Sequence, residues 1–319
     1  MAAKFVAGMA LVLVPTLLAL HNNYWLDIVT FTYLMAALAG AWNIIGGFGG
    51  QFSLGHGVFF GIGAYVTAIL YTDAAVSPWL GLVPAIALAT VVAVLISWPA
   101  FRLRGPFFAI ATMAFNQVAF VLVNYLDWPT NGPRGILIPF RAGFANMIFL
   151  QRWRYAALMF AYLVLVTAVA LLLRRDRLGY ALLALREDED AARAAGINVL
   201  AAKLQGMAIS AALTAIGGGL FVMYIRFIDP PTVFTLSDVG VRFALLALIG
   251  GIGTLIGPIL GAALIVPLEN YLRGSLANAW PGADLVVLGI IMVLAALFLK
   301  RGIAGAATDL ARALARWRR

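Results

Sequence analysis

Apolar runs of about twenty residues follow one another along almost the whole chain. An α-helix needs roughly 20 apolar residues to cross the hydrocarbon core of a bilayer. Because lipid offers no partners to an open backbone, each run is predicted to be a membrane-spanning helix. The expected fold is an all-α, multi-pass membrane protein of about ten transmembrane helices, several of them broken by glycine. The predicted spans lie near residues 5–21, 25–46, 57–72, 78–100, 107–126, 155–173, 204–225, 239–250, 258–272 and 283–299.

The composition agrees with a lipid environment. Of the 319 residues, 64% are hydrophobic and 11% are charged, whereas soluble domains carry about 25% charged residues. A soluble surface must be largely polar or charged, and this chain has too few such residues to cover one. The net charge of +9 does not indicate nucleic-acid binding, because the basic residues cluster between apolar runs and are better explained by orientation in the membrane.

The lysine and arginine positions predict that orientation, since loops that stay in the cytoplasm are enriched in these residues. With ten spans and a cytoplasmic C-terminus, the N-terminus is cytoplasmic too. Fifteen of the 22 basic residues then lie inside and seven outside. The transmembrane permease domain is predicted over 1–301, with its longest inside loop at 174–203. The basic, amphipathic tail 302–319 is predicted to lie along the cytoplasmic membrane surface.

A glycine-rich stretch at 43–65 is the first candidate for a functional site. Glycine disfavours an uninterrupted helix, small residues four apart let helices approach closely, and polar side chains at membrane depth need partners. A broken helix that lines a cavity and a tight helix crossing both fit these features. For the histidine of this stretch alone, a packed, hydrogen-bonded side chain is favoured over a ligand role. The candidate path or packing residues are Asn43, Gly49, Gln51, Ser53, Gly55 and His56.

A second glycine-rich stretch, at 250–261, echoes the first. Residues 45–49 read IGGFG and residues 249–253 read IGGIG. The echo is either an internal repeat, which is common in transporters, or a recurrence of composition. Gly253 and Gly257 are four residues apart, so close helix packing is the default interpretation, and contact with a substrate is the alternative.

The inside loop at 174–203 is the candidate for contact with a partner protein. Residues 180–195 are good helix formers, and Gly196 is suited to end this helix. Asn198 is suited to cap the next helix. An acidic cluster lies beside small alanines, as a solvated face or as a docking surface. Carboxylate pairs can serve acid–base catalysis, but no histidine or cysteine lies beside these, so no catalytic residue is predicted.

Several chemistries are disfavoured by what the chain lacks. It has no cysteine, and His21 and His56 are its only histidines, so neither a metal site nor a cofactor is expected. A phosphate-binding loop requires Gly-x-x-x-x-Gly-Lys-Ser/Thr. Neither Lys4, Lys203 nor Lys300 lies in that frame, so any ATP must be hydrolysed by another chain. No obvious mid-span acid indicates a proton relay, which weakens the alternative of a stand-alone secondary transporter.

Five segments of the chain carry a family resemblance. They occur in family order, span most of the chain and read GGFGGQFSLGHGVFFGIGAYVTAIL (46–70), LRGPFFAIATMAF (103–115), TNGPRGILIPF (130–140), REDEDAARAAGINVLAAKLQGMAISAALTAIGGGL (186–220) and RFALLALIGGIGTLIGPILGA (242–262). Together they resemble the LivM-type permease family of branched-chain amino-acid ABC importers. The motifs are more specific for the family than for its substrate.

The resemblance implies a transport subunit of the bacterial inner membrane that is not itself an enzyme. A sister permease would complete the translocation path, a periplasmic binding protein would capture the substrate, and two cytoplasmic ATP-binding subunits would supply energy. Leucine, isoleucine or valine is the expected cargo, with urea, short amides or other amino acids as the alternative. The segment 186–197 would contact an ATP-binding subunit. Its coupling residues would be Glu187, Asp188, Glu189, Ala191, Ala192, Ala195, Gly196 and Ile197.

Overall fold

The computed structural model describes residues 22–103, 105–276, 282–298 and 302–306. Helices dominate this part of the chain, and two short strands, β1 (Ile136–Leu137) and β2 (Phe227–Ile228), form its sheet. The predicted span at 5–21 and most of the predicted tail 302–319 lie outside the described residues. The α-helices are α1 (Asn23–Asn43), α2 (His56–Thr72), α3 (Pro78–Ala100), α4 (Pro106–Tyr125), α5 (Arg152–Leu173), α6 (Arg177–Glu187), α7 (Glu189–Ala194), α8 (Val199–Ile225), α9 (Pro230–Phe234), α10 (Val241–Gly251), α11 (Gly257–Leu276) and α12 (Ala283–Phe298).

Helices occupy the predicted spans that fall within the described residues, with boundaries that agree to within five residues. Two shorter apolar helices, α2 and α10, correspond to further predicted spans. The chain therefore has the pattern of a multi-pass helical membrane protein, while the count of ten transmembrane helices stays a prediction. Among the described residues, five helical segments are long and apolar enough to cross a membrane: Asn23–Phe48, Pro78–Ala100, Pro106–Tyr125, Arg152–Leu173 and Val199–Ile225.

The chain divides into two compact units. Within the described residues, the first unit contains α1 up to Gly40, α5 from Arg152 to Thr167, and the chain from Leu245 onward. In this unit Tyr33 packs against Phe160, with 5.4 Å between the ring centroids. The two helices that carry these rings are also joined near their beginnings, where Asp27 and Arg152 form an ion pair.

The second unit comprises residues 41–151 and 168–244. Its centre is α8, which packs against both α2 and α3. Small residues make this packing close: a Cβ atom on Gly63 would overlap the backbone of Ala215, and one on Gly218 would overlap the backbone of Phe60. The buried core cluster that these helices share consists mainly of alanine and phenylalanine. Because of the two overlaps, the α2–α8 contact depends on glycine at both of these positions.

Each end of the second unit gathers a distinct set of loops. At one end, β1 pairs antiparallel with β2, and the indole Nε1 of Trp79 donates to the carbonyl of Phe144 at 2.8 Å. At the other end, the ammonium of Lys203 lies 5.6 Å from the ring centroid of Phe101. Within this unit, loops that the basic residues assign to the outside thus share one end, and loops assigned to the inside share the other.

The glycine-rich break and the segment between α5 and α8

The first glycine-rich stretch interrupts the chain between α1 and α2. After Asn43, a π-helical turn at Ile44–Phe48 is entirely buried, and irregular chain follows until α2 begins at His56. Gly50 has a φ of +64°, a left-handed conformation that glycine adopts without a steric penalty. We call residues 44–55 the glycine-rich break.

The backbone of the break keeps its hydrogen bonds although it leaves the α-helical geometry. The amide of Gly49 donates to the carbonyl of Ile44 at 3.3 Å, and the amide of Gln51 donates to the carbonyl of Ile45 at 3.0 Å. These two wide turns give hydrogen-bond partners to backbone amides and carbonyls that would otherwise be costly to bury. The side chain of Gln51 is half-buried and donates from Nε2 to the carbonyl of Gly49 at 3.3 Å.

The fully buried side chain of His56 joins the break to α8. Its Nε2 lies 2.8 Å from the hydroxyl of Ser210, and that hydroxyl donates to the carbonyl of Ala41 at 2.7 Å. Ser210 therefore accepts a hydrogen bond from Nε2–H. The other nitrogen, Nδ1, then accepts from the hydroxyl of Ser53 at 3.2 Å. Both ring nitrogens are used within the protein, which supports the predicted packed, hydrogen-bonded role for His56.

Side chains of α1 and α4 also hold the break in place. The indole Nε1 of the buried Trp42 donates to the carbonyl of Ser53 at 2.7 Å, and the hydroxyl of Thr112 accepts from the amide of Leu54 at 3.0 Å. A Cβ on Gly55 would stand 2.9 Å from the carbonyl oxygen of Thr112. The void beside Ser53 and Thr112 measures about 10 Å³, which is too small for an amino acid. Tight packing is therefore the better interpretation of this stretch.

The second glycine-rich stretch also ends one helix and begins another. Gly253 lies in the turn after α10 with a φ of +75°, a left-handed conformation that favours glycine. Gly257 is the buried first residue of α11, and a Cβ there would overlap the carbonyl oxygen of Gly251. The hydroxyl of Thr254 accepts from the amide of Gly257 at 2.9 Å. The echo between the two glycine-rich stretches thus corresponds to a shared local form: helix, glycine break, helix.

The 174–203 segment contains two short helices, where the sequence predicts one helix over 180–195. The division falls at Asp188, whose backbone is extended with a φ of −158°. Its carboxylate oxygen Oδ1 accepts from the amides of Asp190 at 2.8 Å and Ala191 at 2.9 Å. Because an aspartate side chain can replace the missing backbone partners at a helix start, it favours a new N-terminus over continuation of α6.

The end of α7 and the beginning of α8 are as predicted. Gly196 has a φ of +85°, and its amide donates to the carbonyl of Arg193 at 3.0 Å. The amide of Ile197 donates to the carbonyl of Ala192 at 3.1 Å. This pair of bonds is the Schellman arrangement that ends many helices at a glycine. The side chain of Asn198 then accepts from the amide of Ala201 at 3.1 Å and caps α8.

The predicted coupling residues differ in how far they reach solvent. Ala192 is only 4% exposed and packs against Leu185, Val199 and Ala202 within the segment. It can support the shape of α7 but offers little surface to a partner. Two others are half-buried, Glu189 and Ile197. The residues that present an exposed face are Glu187, Asp188, Ala191, Ala195 and Gly196.

Two side chains of α6 connect the 174–203 segment to the glycine-rich break. The guanidinium of Arg186 donates from Nη1 to the carbonyl of Gly47 at 3.0 Å. The buried Leu182 is in close contact with two glycines: Cβ atoms on Gly49 and Gly206 would lie 3.2 and 3.1 Å from its Cδ2 atom. Neither Arg186 nor Leu182 was among the predicted site residues, because nothing in a helix-forming sequence shows what the helix packs against.

A buried charge pair connects α7 to α8. The side chain of Lys203 is 3% exposed and forms an ion pair with Glu189, whose side chain is 19% exposed. The same ammonium lies over the ring of Phe101, which stacks on Phe108 at 5.0 Å between centroids. Lysine is almost never buried without a partner. In the sequence, the signal for this pair was that Lys203 lies among the mostly apolar and small residues at 199–208, where a charged side chain needs a partner.

A third feature that the sequence did not predict is the segment that follows β2. The short helix α9 folds back along α2, where the ring of Phe234 fills the space that a side chain at Gly61 would need. The same ring stacks on Tyr65 with 6.0 Å between centroids. The side-chain amide of Asn116 donates to the carbonyl of Phe234 at 2.7 Å. The span predicted at 239–250 is therefore preceded by a short helix that packs against α2 and α4.

Helices of membrane-spanning length, joined by glycine breaks and by a structured polar segment, are those of a multi-pass helical membrane protein. A family model described as "Branched-chain amino acid transport system / permease component" matches residues 24–296. The chain belongs to this family.

Individual relatives agree with the family match. LivM of Escherichia coli K12, a high-affinity branched-chain amino acid transport system permease protein, is 32% identical over 300 residues, which cover 87% of this chain and 69% of the relative. LivH of the same organism is 27% identical, with 87% and 93% covered. LivM of Methanocaldococcus jannaschii is 28% identical, with 66% and 64% covered. No solved structure matches the chain significantly.

Proposed function

We propose that this chain is a permease subunit of an ATP-driven importer for leucine, isoleucine or valine in a bacterial inner membrane. The proposed topology has ten spans, with both termini and the 174–203 segment in the cytoplasm. The cargo is proposed from the family and from the relatives' names. The observation that carries an ATP-driven mechanism is the 174–203 segment, because it is rigidly capped, exposes an acidic and alanine-rich face, and contacts the glycine-rich break.

The proposed partners follow from what this chain has and lacks. Its sequence contains no phosphate-binding loop, so two ATP-binding subunits would supply energy from the cytoplasm. Relatives named LivM and LivH both align with 87% of this chain, which supports pairing with a sister permease of the same fold. A periplasmic binding protein would deliver the amino acid to the opposite side.

In the proposed mechanism, closure of the ATP-binding subunits displaces α7. The Glu189–Lys203 pair passes this displacement to α8, and Arg186 passes it to the π-helical turn through the carbonyl of Gly47. The break can follow because its geometry is already non-α-helical, with glycine where the backbone is left-handed. Movement of α8 and of the break would open a path between the two permeases.

Transport tests this proposal directly. Proteoliposomes containing the permease pair and the ATP-binding subunits should accumulate radiolabelled leucine only with ATP and the binding protein. Ala195→Trp, which adds bulk to the exposed face of α7, should abolish uptake and co-purification of the ATP-binding subunits. Ala142→Trp, on an exposed position of the 127–151 loop, is the matched control and should keep these subunits bound. Uptake by this chain alone would overturn the proposal.

The proposed sidedness has its own test. Because the chain contains no cysteine, single cysteines can be placed without background labelling. In intact cells, a membrane-impermeant maleimide should label Phe144→Cys and should label Glu187→Cys only after the cells are opened. Phe144 is 72% exposed, and Glu187 is exposed at the end of α6. Labelling of both positions from outside would contradict the orientation.

A further inference from the structure

A cavity of about 470 Å³ opens at the end of the second unit where α3 ends and α8 begins. This volume lies within the range of about 300–1,000 Å³ that is usual for small-molecule sites. We call it the basic cavity. Its polar and charged lining comes from the turn after α3, from α7 and from the beginning of α8, namely Arg102, Glu189, Arg193, Asn198 and Lys203.

The charges around the basic cavity favour an anion. Among the described residues that line it, three are cationic and one is a carboxylate. Glu189 and Lys203 compensate each other as a largely buried pair, which leaves the guanidinium groups of Arg102 and Arg193. Arg193 forms an ion pair with Asp190 at 3.5 Å, but both side chains are more than half exposed, so that pair is weak in water. Two arginines on one concave surface suit a phosphate group.

The surroundings of the cavity indicate that the phosphate belongs to a lipid. The indole of Trp98 is 53% exposed, and the guanidinium of Arg102 lies 5.4 Å from its ring centroid. Phe107 is 68% exposed beside the same turn, and Leu200 on the cavity wall is 39% exposed. Tryptophan and arginine at a helix end are typical of the membrane–water interface. A free anion would not need this apolar rim, whereas acyl chains would cover it.

We infer that the basic cavity binds the phosphate headgroup of an anionic phospholipid in the inner leaflet, with Arg102 and Arg193 on the phosphate and Trp98 and Phe107 along the acyl chains. The inference rests on the sidedness of the proposed function. Basic pockets between helices on the cytoplasmic side are known to bind such headgroups. The lipid would brace α7 against the turn after α3, because Arg193 belongs to α7 and Arg102 to that turn.

The test measures binding by the full-length chain alone, so it does not depend on transport. Native mass spectrometry of the chain in detergent, titrated with phosphatidylglycerol, gives the affinity, with phosphatidylcholine and inorganic phosphate as comparison ligands. Phosphatidylglycerol should bind at least tenfold more tightly than phosphatidylcholine. Since each basic residue near an anionic lipid contributes about 1 kcal/mol, Arg102→Gln and Arg193→Gln should each weaken binding about fivefold, and the double variant about 25-fold.

Controls separate the possible outcomes. Arg175→Gln, an exposed arginine after α5 that does not line the cavity, should change the affinity less than twofold, and Arg102→Lys should keep most of it. Unchanged phosphatidylglycerol binding in the double variant would overturn the inference. So would inorganic phosphate that competes as well as the lipid, which would show a free-anion site. If cysteine labelling refuted the proposed sidedness, this affinity loss could still be measured, so the two failures are distinguishable.

Discussion

Removal of one partner from the Glu189–Lys203 pair should destabilise the protein far more than removal of both. Lys203 is 3% exposed and Glu189 is 19% exposed, so each charge depends on the other for compensation. Lys203→Met leaves a carboxylate that reaches water only partly. Glu189→Gln leaves an ammonium on a side chain that is only 3% exposed, with the ring of Phe101 at 5.6 Å as a remaining weak partner.

The size of the effect follows from these exposures. Breaking a buried pair by removing one partner costs about 3–5 kcal/mol. We expect each single substitution to lower the free energy of unfolding by about 3 kcal/mol, at the lower end of that range. Glu189 retains some contact with solvent, and the ammonium of Lys203 retains its contact with the ring of Phe101. The double variant Glu189→Gln/Lys203→Met leaves no uncompensated charge, so it should cost only about 1 kcal/mol, which corresponds to a coupling energy of about 5 kcal/mol.

The assay is unfolding in maltoside micelles titrated with dodecyl sulfate, followed by the fluorescence of the chain's tryptophans. Arg193→Met is the matched control on α7, because its 3.5 Å pair with Asp190 is exposed and should contribute less than about 1 kcal/mol. If the two single substitutions were additive, with about 6 kcal/mol lost in the double variant, α7 would not be held to α8 by this charge pair, and the proposed route of force through it would be refuted.

Three further predictions concern the glycine-rich break and its neighbours, each measured by the same unfolding titration. Gly57→Ala should lower the free energy of unfolding by about 1–3 kcal/mol through overpacking, because its Cβ would overlap Oδ1 of Asn116. The double variant Gly57→Ala/Asn116→Ala should be no less stable than Asn116→Ala, and an additive loss would contradict the overlap. His56→Ala should cost about 2–4 kcal/mol, since it removes two buried hydrogen bonds and leaves their partners unsatisfied, and a change below 1 kcal/mol would show that the network does not hold the break. Gly50→Ala should lower the free energy of unfolding more than Gly196→Ala. Both positions have a positive φ, so each alanine should lose about 1–2 kcal/mol to left-handed strain. A Cβ on Gly50 would also press on Arg186 at 3.2 Å, whereas none of the described atoms lies within 4 Å of a Cβ on Gly196.

Much of the helical framework could be predicted because it depends on local rules. Apolar runs of spanning length predicted α3 with the boundaries that the structure shows. The end of α7 and the beginning of α8 followed from the conformational freedom of Gly196 and the capping ability of Asn198. The division at Asp188 was missed, because its helix-forming neighbours favour continuation and only the capping hydrogen bonds decide for a break.

The tertiary part of the site could not be predicted from a single sequence. The partner of Lys203 depends on how α7 lies against α8, and the partner of Arg186 is a backbone carbonyl of the π-helical turn, which no side-chain pattern indicates. The short helix α9 has five residues, too few for hydrophobic periodicity to indicate it. The side chain of Asn116 holds α9 in place through a hydrogen bond. A polar residue in an apolar span indicates that a hydrogen-bond partner exists, but not which residue provides it.

The two sets of contacts on the glycine-rich break oppose each other in a way that suits a transmission element. The Ser53–His56–Ser210 chain and the indole of Trp42 fix one side of the break to α8 and α1 through directional hydrogen bonds. On the other side, Arg186 contacts it through a single charge-assisted hydrogen bond, and Leu182 packs against Gly49 without a directional contact. A displacement of α6 would therefore tilt the π-helical turn about the His56 side without separating the break from α8, since several buried hydrogen bonds must break for separation and only one for sliding.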